Sequence, residues 1–389
     1  MTHINIKEIL WKLHIDSLTA MQQTTVEEYR KGKDLVLLSP TGSGKTIAYL
    51  LPLVLSLKNE NVLQAVVLVP SRELALQIEQ VFKSMGTGIP VMSCYGGRPA
   101  MDEHRTMKSL NPQVIVGTPG RMNDHLNKGN IDASHVHTLV IDEFDKCLEM
   151  GFQEEMSEVI VQIPYLKRRF LLSATDAPAI PRFVSEGDFL KLNFLEDEEQ
   201  IPERIKVYTV KSPEKDKLEV LSKLLCYLGD KSSLVFVNYR ESVERVYRYL
   251  LQAGISCEMF HGGMEQKDRE RALYKFSNGS CNVFVSTDLA ARGLDIPNID
   301  HVIHYHLPLN EDAYIHRNGR TARWDASGNV FLILGPEEYL PEFIQQIPED
   351  YVWEGPKPDP AKPQWVTLYI GKGKKDKINK VDIVGFLSK

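Results

Sequence analysis

The stretch Ser39-Pro40-Thr41-Gly42-Ser43-Gly44-Lys45-Thr46 constrains this chain more than any other. It follows Leu35-Val36-Leu37-Leu38, which reads as a buried strand. It precedes Ile47-Ala48-Tyr49-Leu50-Leu51, which reads as a helix. Strand, glycine-rich turn, Gly-Lys-Thr and helix is the order of a phosphate cradle. Gly42 and Gly44 let the backbone curl until its N–H groups point inward at an anion. The helix N-terminus adds partial positive charge. Lys45 is placed to reach β- and γ-phosphates, and the Thr46 hydroxyl suits Mg²⁺. The usual pattern opens on Gly, and Ser39 stands in that place. A chance glycine turn before a core helix would not explain the strand and the Lys-Thr pair together.

Length sets the next bound. At 389 residues, two domains are expected rather than one. Apolar content of 43% and charged content of 25% describe an ordinary soluble chain. With a formal net charge of −6, any nucleic-acid surface must be a local groove and not a global field. The start, Met1-Thr2-His3-Ile4-Asn5, lacks the basic and apolar regions of a signal peptide. The longest apolar run, near Leu50 to Leu57, is shorter than the ~20 residues that span a bilayer, so a cytoplasmic location is expected. The cysteines Cys94, Cys147, Cys226, Cys257 and Cys281 are odd in number, and no two have CxxC spacing. Reduced thiols are expected, not a disulfide frame or a zinc site. His301, His304 and His306 crowd one strand without a nearby acidic or Cys partner, so they read as satisfied strand histidines and not as a metal site.

Residues 1–34 read as a helical lead-in, with Ile6, Ile9, Leu10 and Leu13 at helical spacing and Trp11 as a core residue. Gln22 offers a paired donor and acceptor, the complement of an adenine edge. Apolar strands then alternate with helical stretches: Leu35–Leu38, Ala65–Val69, Val91–Tyr95, Val114–Val116, Thr138–Ile141 and Phe170–Leu172. Near-continuous Val/Ile/Leu runs between helices imply an α/β fold with a parallel sheet covered on both faces. Such sheets bind ligands beyond the carboxyl ends of their strands. Polar clusters fall at that edge: Pro70-Ser71-Arg72-Glu73-Leu74-Ala75, Gly96-Gly97-Arg98, Thr118-Pro119-Gly120-Arg121, Asp142-Glu143-Phe144-Asp145 and Ser173-Ala174-Thr175. One cluster is a turn, but successive clusters on one edge read as a single functional surface. Asp142 is placed to hold Mg²⁺, directly or through water. Glu143 is placed to orient or deprotonate an attacking water. A solvated acidic turn explains poorly why two carboxylates end an apolar strand beside a phosphate loop.

Residues 195–204 are charged, contain Pro202 and read as a linker. Alternation resumes over Ile205–Val210, Ser233–Val237, Ser256–Met259, Asn282–Val285, His301–Tyr305 and Asn329–Leu334. No second Gly-Lys-Thr appears, so this half reads as a partner sheet. Arg240 closes one strand, and Gln266 and Arg269 share a helical face at i, i+3. Ser286–Asp295 and His316–Arg323 follow other strands. Arg320 and Arg323 also stand at i, i+3, where planar guanidinium groups would complete a phosphoryl site across the cleft. Alone, that run would be an exposed basic helix.

Together these residues resemble the DEAD-box RNA helicase family, over roughly residues 1–345. The resemblance implies two tandem RecA-like domains. Residues 1–194 are the ATP-binding domain, 195–204 the linker and 205–345 the helicase C-terminal domain. It implies Gln22 as the Q-motif glutamine and Ser39, Pro40, Thr41, Gly42, Ser43, Gly44, Lys45 and Thr46 as the phosphate loop. Thr46 and Asp142 become the Mg²⁺ ligands, and Asp295 a further nucleotide-facing residue. Asp142–Asp145 reads DEFD where the family name has DEAD. Arg72, Gly97, Thr118 and Arg121 are implied as RNA-facing in the first domain, and Arg240, Gln266, Arg269, Thr287 and Arg292 in the second. Ser173, Thr175 and Asp145 are implied to couple hydrolysis to strand separation. Lys45, Asp142, Glu143, His316, Arg320 and Arg323 are the implied catalytic set. The family places Ala where Ser39 stands, and an adenine-stacking aromatic where this chain reads Ile4-Asn5-Ile6; Trp11 is the alternative for that stack, with a core Trp as the expected reading.

After residue 345 the chain changes character. Pro348, Pro356, Pro358, Pro360 and Pro363 mark an extended linker over 346–364. Trp365–Ile370 reads as a strand, Gly371–Lys377 as a basic turn, and Ile378, Val381, Val384 and Leu387 as one face of an amphipathic helix. Residues 365–389 resemble a fragment of the RRM-like RNA-binding module of the DEAD-box protein A subfamily, which acts in large-ribosomal-subunit assembly. The alternative is a basic tail without structure of its own. The expected function is ATP-dependent unwinding or remodelling of single-stranded and short duplex RNA, by a monomer that grips sugar and phosphate with little sequence choice. Two readings compete: an ATP-gated RNA clamp that serves as an assembly platform, and a P-loop ATPase acting on DNA or protein. The RNA-type motif set counts against the latter.

Overall fold

Strand β1 (Asp34–Leu38) sets the layering of the first half. Leu35 and Leu37 enter one apolar core, and Val36 and Leu38 enter another, because successive side chains of a strand point to opposite faces. The computed structural model describes residues 5–40, 42–97, 99–175, 180–184, 187–195, 205–290, 299–321, 327–344, 348–371 and 376–388. Around β1 stand β2 (Ala65–Leu68), β3 (Val91–Cys94), β4 (Val114–Gly117), β5 (Thr138–Ile141), β6 (Arg168–Ser173) and β7 (Phe189–Asn193). Their order is β3-β4-β2-β5-β6-β1-β7, and every pairing is parallel. Helices α1 (Ile6–Lys12) and α2 (Ala20–Arg30) precede β1, and α3 (Lys45–Ser56), α4 (Arg72–Ser84), α5 (Ala100–Leu110), α6 (Pro119–Asn127), α7 (Phe144–Glu149) and α8 (Gln153–Val161) return the chain between strands. Helix α3 is buried without a break from Ile47 to Val54, as a helix packed within a layer must be.

The second half repeats the plan. Its strands are β8 (Ile205–Lys211), β9 (Ser233–Phe236), β10 (Cys257–Phe260), β11 (Val283–Ser286), β12 (His301–His304), β13 (Gly328–Leu334) and β14 (Glu349–Asp350), in the order β10-β11-β9-β12-β13-β8-β14. All pair in parallel. The helices are α9 (Leu218–Leu228), α10 (Arg240–Gln252), α11 (Gln266–Ser277), α12 (Glu311–Asn318) and, in the tail, α13 (Lys380–Leu387). No helix among the described residues is long and apolar enough to cross a membrane.

Each strand expected between residues 35 and 334 forms, its ends matching to within two residues. Other expectations are corrected. Trp11 is not in the core: it is 75% exposed, and Ile9 is the buried residue of α1. Trp365–Ile370 forms no strand. The tail helix forms, but it buries no side chain.

Residues 348–371 lie along the second half. Strand β14 extends the sheet beyond β8. Trp353 packs on Tyr227 and Tyr351, with ring centroids 5.3 and 5.1 Å apart. The Lys223 ammonium stands 4.2 Å over the Trp353 ring, and Tyr227 donates its hydroxyl to the Gly355 carbonyl at 2.7 Å. Thr367 accepts from Asn278 at 3.0 Å, and Arg271 lies 5.1 Å from the Tyr369 ring. Trp353→Ala should therefore lower stability by about 2 kcal/mol, the worth of two ring contacts and a cation–π contact. Urea unfolding of the second half would show it. Deleting residues 376–389 should leave the same transition unmoved.

Candidate nucleotide site and RNA-facing edge

The phosphate loop is shaped by its glycines. Gly42 and Gly44 take φ of 90° and 89°, a region that side chains disfavour. Gly44 caps α3 without a side-chain bond, so the first N–H groups of a 12-residue helix face the loop. Lys45 donates to the carbonyls of Ser39 and Pro40. Ser39 donates to the Ser43 hydroxyl at 2.6 Å, and Ser43 to the Pro40 carbonyl at 2.8 Å. Gln22 is buried and joins this loop to α2. Its oxygen accepts the Thr19 N–H at 3.0 Å, and its amide donates to the Gly44 carbonyl at 3.3 Å. A Cβ on Gly44 would sit 2.6 Å from that amide.

The two acids end β5 beside this loop. Burial raises the Asp142 carboxyl above the usual range, and the Lys45 cation partly offsets it. Burial and the Asp142 charge push Glu143 up, while Arg320 from the second half pulls it back. Glu143 itself has φ of 52°, a strained setting for a residue with a side chain, of the sort found at functional sites. The Asp142 carboxylate accepts the Glu143 N–H at 2.9 Å. Buried Asp142 and half-buried Glu143, with the Thr46 hydroxyl at the start of α3, form an oxygen-donor set that fits Mg²⁺.

The next loop links to both. Ser39 donates its N–H to the Ser173 carbonyl at 3.1 Å. Ser173 donates its hydroxyl to the Thr175 carbonyl at 2.6 Å, and Thr175 donates to Asp145 at 2.9 Å. Phosphate loop, acidic turn and Ser-Ala-Thr turn are thus one bonded unit.

The remaining loops of the first half stand along the same edge. Arg72 opens α4 and lies over Gly96-Gly97. A Cβ on Gly97 would meet the Arg72 guanidinium at 2.5 Å, and its φ of 97° also demands glycine. Thr118 caps α6 without a side-chain bond. Arg121 pairs with Glu103 at 3.0 Å, both largely buried. Across the cleft, Arg269 pairs with Glu73 at 3.0 Å, with both side chains under a tenth exposed. Arg72 donates to Gln266 at 3.4 Å, and Arg269 to Gln266 at 2.5 Å.

On the second half, Arg240 opens α10 and lies 3.6 Å from where a Gly262 Cβ would be. Thr287 follows β11. His316 and Arg320 are buried, and α12 ends at Asn318, so Arg320 does not sit on an exposed basic helix. Thr41, Arg292, Asp295 and Arg323 lie outside the described residues. His304 donates its Nε2–H to the Asn318 amide oxygen at 2.9 Å. Burial and neighbouring Arg317 push its pKa down to about 3, consistent with a satisfied neutral strand histidine. Asn5, within the Ile4-Asn5-Ile6 stretch, accepts the Lys7 N–H at 3.0 Å as the cap of α1.

Sequence reasoning passed over three charged residues. Glu73 and Glu103 pair with Arg269 and Arg121. Arg317 is fully buried. It donates to Asp288 at 2.5 Å, Asn238 at 2.7 Å and the His306 carbonyl at 2.9 Å, gathering the loops after β11, β9 and β12. The unfound signal was spatial: each sits on a helix where a solvated charge is the ordinary reading.

Two parallel-sheet lobes facing each other, the first with a glycine-rich Gly-Lys-Thr loop after β1, define a pair of RecA-like domains. Residues 19–181 match the DEAD/DEAH box helicase family and residues 216–325 the helicase conserved C-terminal domain. The chain is 36% identical over 335 residues to the ATP-dependent RNA helicase CshA of Listeria monocytogenes, covering 84% of this chain and 64% of that one. It is 33% identical over 341 residues to the DEAD-box ATP-dependent RNA helicase CshA of Geobacillus kaustophilus, covering 86% and 72%. With the ATP-dependent RNA helicase DbpA of Bacillus subtilis it shares 31% identity over 409 residues, covering 95% and 84%. Among solved structures, S. cerevisiae Dbp5 bound to RNA and ADP BeF3 is similar at a TM-score of 0.75 and 27% identity, over 85% of this chain and 88% of that one. The chain belongs to the DEAD-box family of RNA helicases.

Ser39 is the testable departure. Its hydroxyl helps hold the loop in the arrangement where Lys45 serves backbone carbonyls. Ser39→Ala removes one such bond, of about 1 kcal/mol. ATP should bind up to about fivefold more tightly, measured with a fluorescent nucleotide. Equal or weaker binding would assign the hydroxyl another task.

Proposed function

We propose that this chain is an ATP-dependent RNA helicase that couples ATP hydrolysis to local unwinding or remodelling of RNA duplexes. The observation that carries it is the pairing of Glu73 and Arg72 with Arg269 and Gln266 across the cleft, beside Glu143 facing Arg320. One closed arrangement thereby brings both lobes to an RNA-facing edge and to a phosphate site at once. Ser39 to Thr46, with Gln22 bracing the loop, would hold the triphosphate. Thr46 and Asp142 would hold Mg²⁺, which when bound neutralises phosphate charge. Glu143 would take a proton from the attacking water, and Arg320 would meet charge on the transferred group. Arg72, Gly97 and Thr118 on one side, and Arg240, Gln266, Arg269 and Thr287 on the other, would grip sugar and phosphate, so little sequence choice is expected. Ser173, Thr175 and Asp145 would carry the state of one site to the other.

The finer reading is ribosomal RNA as substrate. It is supported by the likeness to DbpA of Bacillus subtilis, which covers 95% of this chain and so reaches into the tail. RNA crosslinked to the chain in cells should then be enriched in large-subunit ribosomal RNA. Enrichment of messenger RNA alone would sink that refinement.

The core reading is tested by ATPase and duplex-unwinding assays with and without RNA. Glu143→Gln keeps shape and removes the base. ATP binding should survive while RNA-stimulated turnover falls by roughly 10²-fold or more. Arg320→Ala should likewise cut turnover, while the affinity of the full chain for ATP changes little. RNA-stimulated turnover unchanged in both variants would refute a shared two-lobe site.

A further inference from the structure

Glu103, within α5, is the most heavily used carboxylate of the RNA-facing edge, and no role follows for it from the phosphate or RNA motifs. Its side chain is 6% exposed, and donors reach it from separate segments. Oε1 accepts the backbone N–H of Tyr95 at 3.1 Å, immediately before Gly96-Gly97. Oε2 accepts from Arg121 at 3.0 Å and from His125 Nε2 at 2.9 Å. His125 is fully buried, and its Nδ1 accepts from the Asn130 amide at 3.1 Å. That bond leaves the ring hydrogen on Nε2, as the donor to Glu103. Cys94 lies close to Glu103 and His125. The trio is not a metal site in this arrangement, because the carboxylate already faces a guanidinium and Nε2 carries a hydrogen.

We propose that Glu103 is a positioning residue for RNA, and that Arg121 acts through this buried pair and not by meeting an RNA phosphate. The Arg121 side chain is 13% exposed. Drawing it toward a phosphate would strip Glu103 of its charge partner in a desolvated setting, which is strongly unfavourable. The Thr118-Pro119-Gly120 turn has other means to hold a phosphate. Thr118 makes no side-chain cap bond at the electropositive N-terminal end of the nine-residue α6. Glu103 sets where that end lies, through Arg121 and His125 on the same helix. Through Tyr95 it also sets the loop over which Arg72 lies. One carboxylate thus registers the glycine loop, the α6 turn and, indirectly, Arg72.

This inference rests on the RNA-binding reading above. The test is the affinity of the full chain for single-stranded oligouridylate, with a non-hydrolysable ATP analogue, across a KCl series. Glu103→Gln/Arg121→Gln leaves neither charge buried alone. Loss of a phosphate contact lowers the slope of log affinity against log salt by ~0.7 on single strands. The expected result is binding weakened roughly tenfold or more, as misplaced contacts give, with the slope unchanged. A slope lower by ~0.7 would show Arg121 on a phosphate and overturn the proposal. Unchanged affinity would overturn it too. Glu103→Gln alone keeps an acceptor for Tyr95 but leaves the Arg121 charge unpaired, so its unfolding midpoint should fall. In the folded variant the KM for RNA should rise more than the KM for ATP; equal shifts in both would reduce Glu103 to a structural part and refute the assignment, even should the double variant fold poorly. A wild-type chain that binds no RNA would instead remove the functional reading itself.

Discussion

Parallel pairing is the constraint from which both working edges follow. A parallel strand cannot turn directly into its neighbour, so a helix must return the chain, and each strand delivers its next loop to the same edge. The strand order then sorts those loops. In the first sheet, β3, β4 and β2 are contiguous, and their loops carry Gly97, Thr118 and Arg72. Strands β5, β6 and β1 are contiguous, and theirs carry Asp142, Thr175 and Lys45. The groups proposed to face RNA and those proposed to face phosphate occupy two halves of one edge, and the β2–β5 pairing is the border between them. The second sheet sorts its loops in the same way, with Gln266, Thr287 and Arg240 following β10, β11 and β9.

Charge connects the lobes at both halves of that edge. Glu143 is pushed up by burial and by Asp142, and Arg320 acts in the opposite direction. The Arg320 contribution exists only while the lobes face each other. Closure and ionisation of Glu143 therefore favour one another by linkage. The Glu73–Arg269 pair serves the other half of the edge. Both side chains are nearly buried, so parting the lobes exposes two charges to water at once, and rehydration repays much of the lost attraction. Such a contact fixes the register of closure more than it opposes opening.

The sheets were legible because strands buried on both faces are written as unbroken apolar runs. Ala65–Leu68 and Val114–Gly117 are cases with every residue buried. Strand β7 was not legible: Phe-Leu-Lys-Leu-Asn is half exposed and paired on one side only, so neither a run nor an alternation marks it. Strand β14 has two residues and no pattern at all. Loop chemistry was legible wherever a motif combines residue types with spacing, as at Ser39–Thr46. Glu73, Glu103 and Arg317 were not, because their meaning lies in partners far along the chain. Arg317, between His316 and Asn318, reads like any helical arginine, yet its guanidinium binds loops after three strands.

The tail shows the limit of propensity more sharply. Trp365-Val366-Thr367-Leu368-Tyr369-Ile370 is rich in strand-favouring residues, but a strand needs a neighbour to pair with. Strand β14 already pairs on the β8 edge of the second sheet. What remains for the run is side-chain contact, and that is how it is held. Thr367 meets Asn278 and Ser280 just beyond the C-terminal end of α11, and Tyr369 meets Arg271 within it. The tail therefore climbs α11 toward its N-terminus, where Gln266 and Arg269 face the first lobe. Arg271 and Gln266 are five residues apart, about 7.5 Å along a helix. A segment that reads as the start of a separate module is, in its contacts, an attachment to the helix that carries part of the cross-cleft pairing.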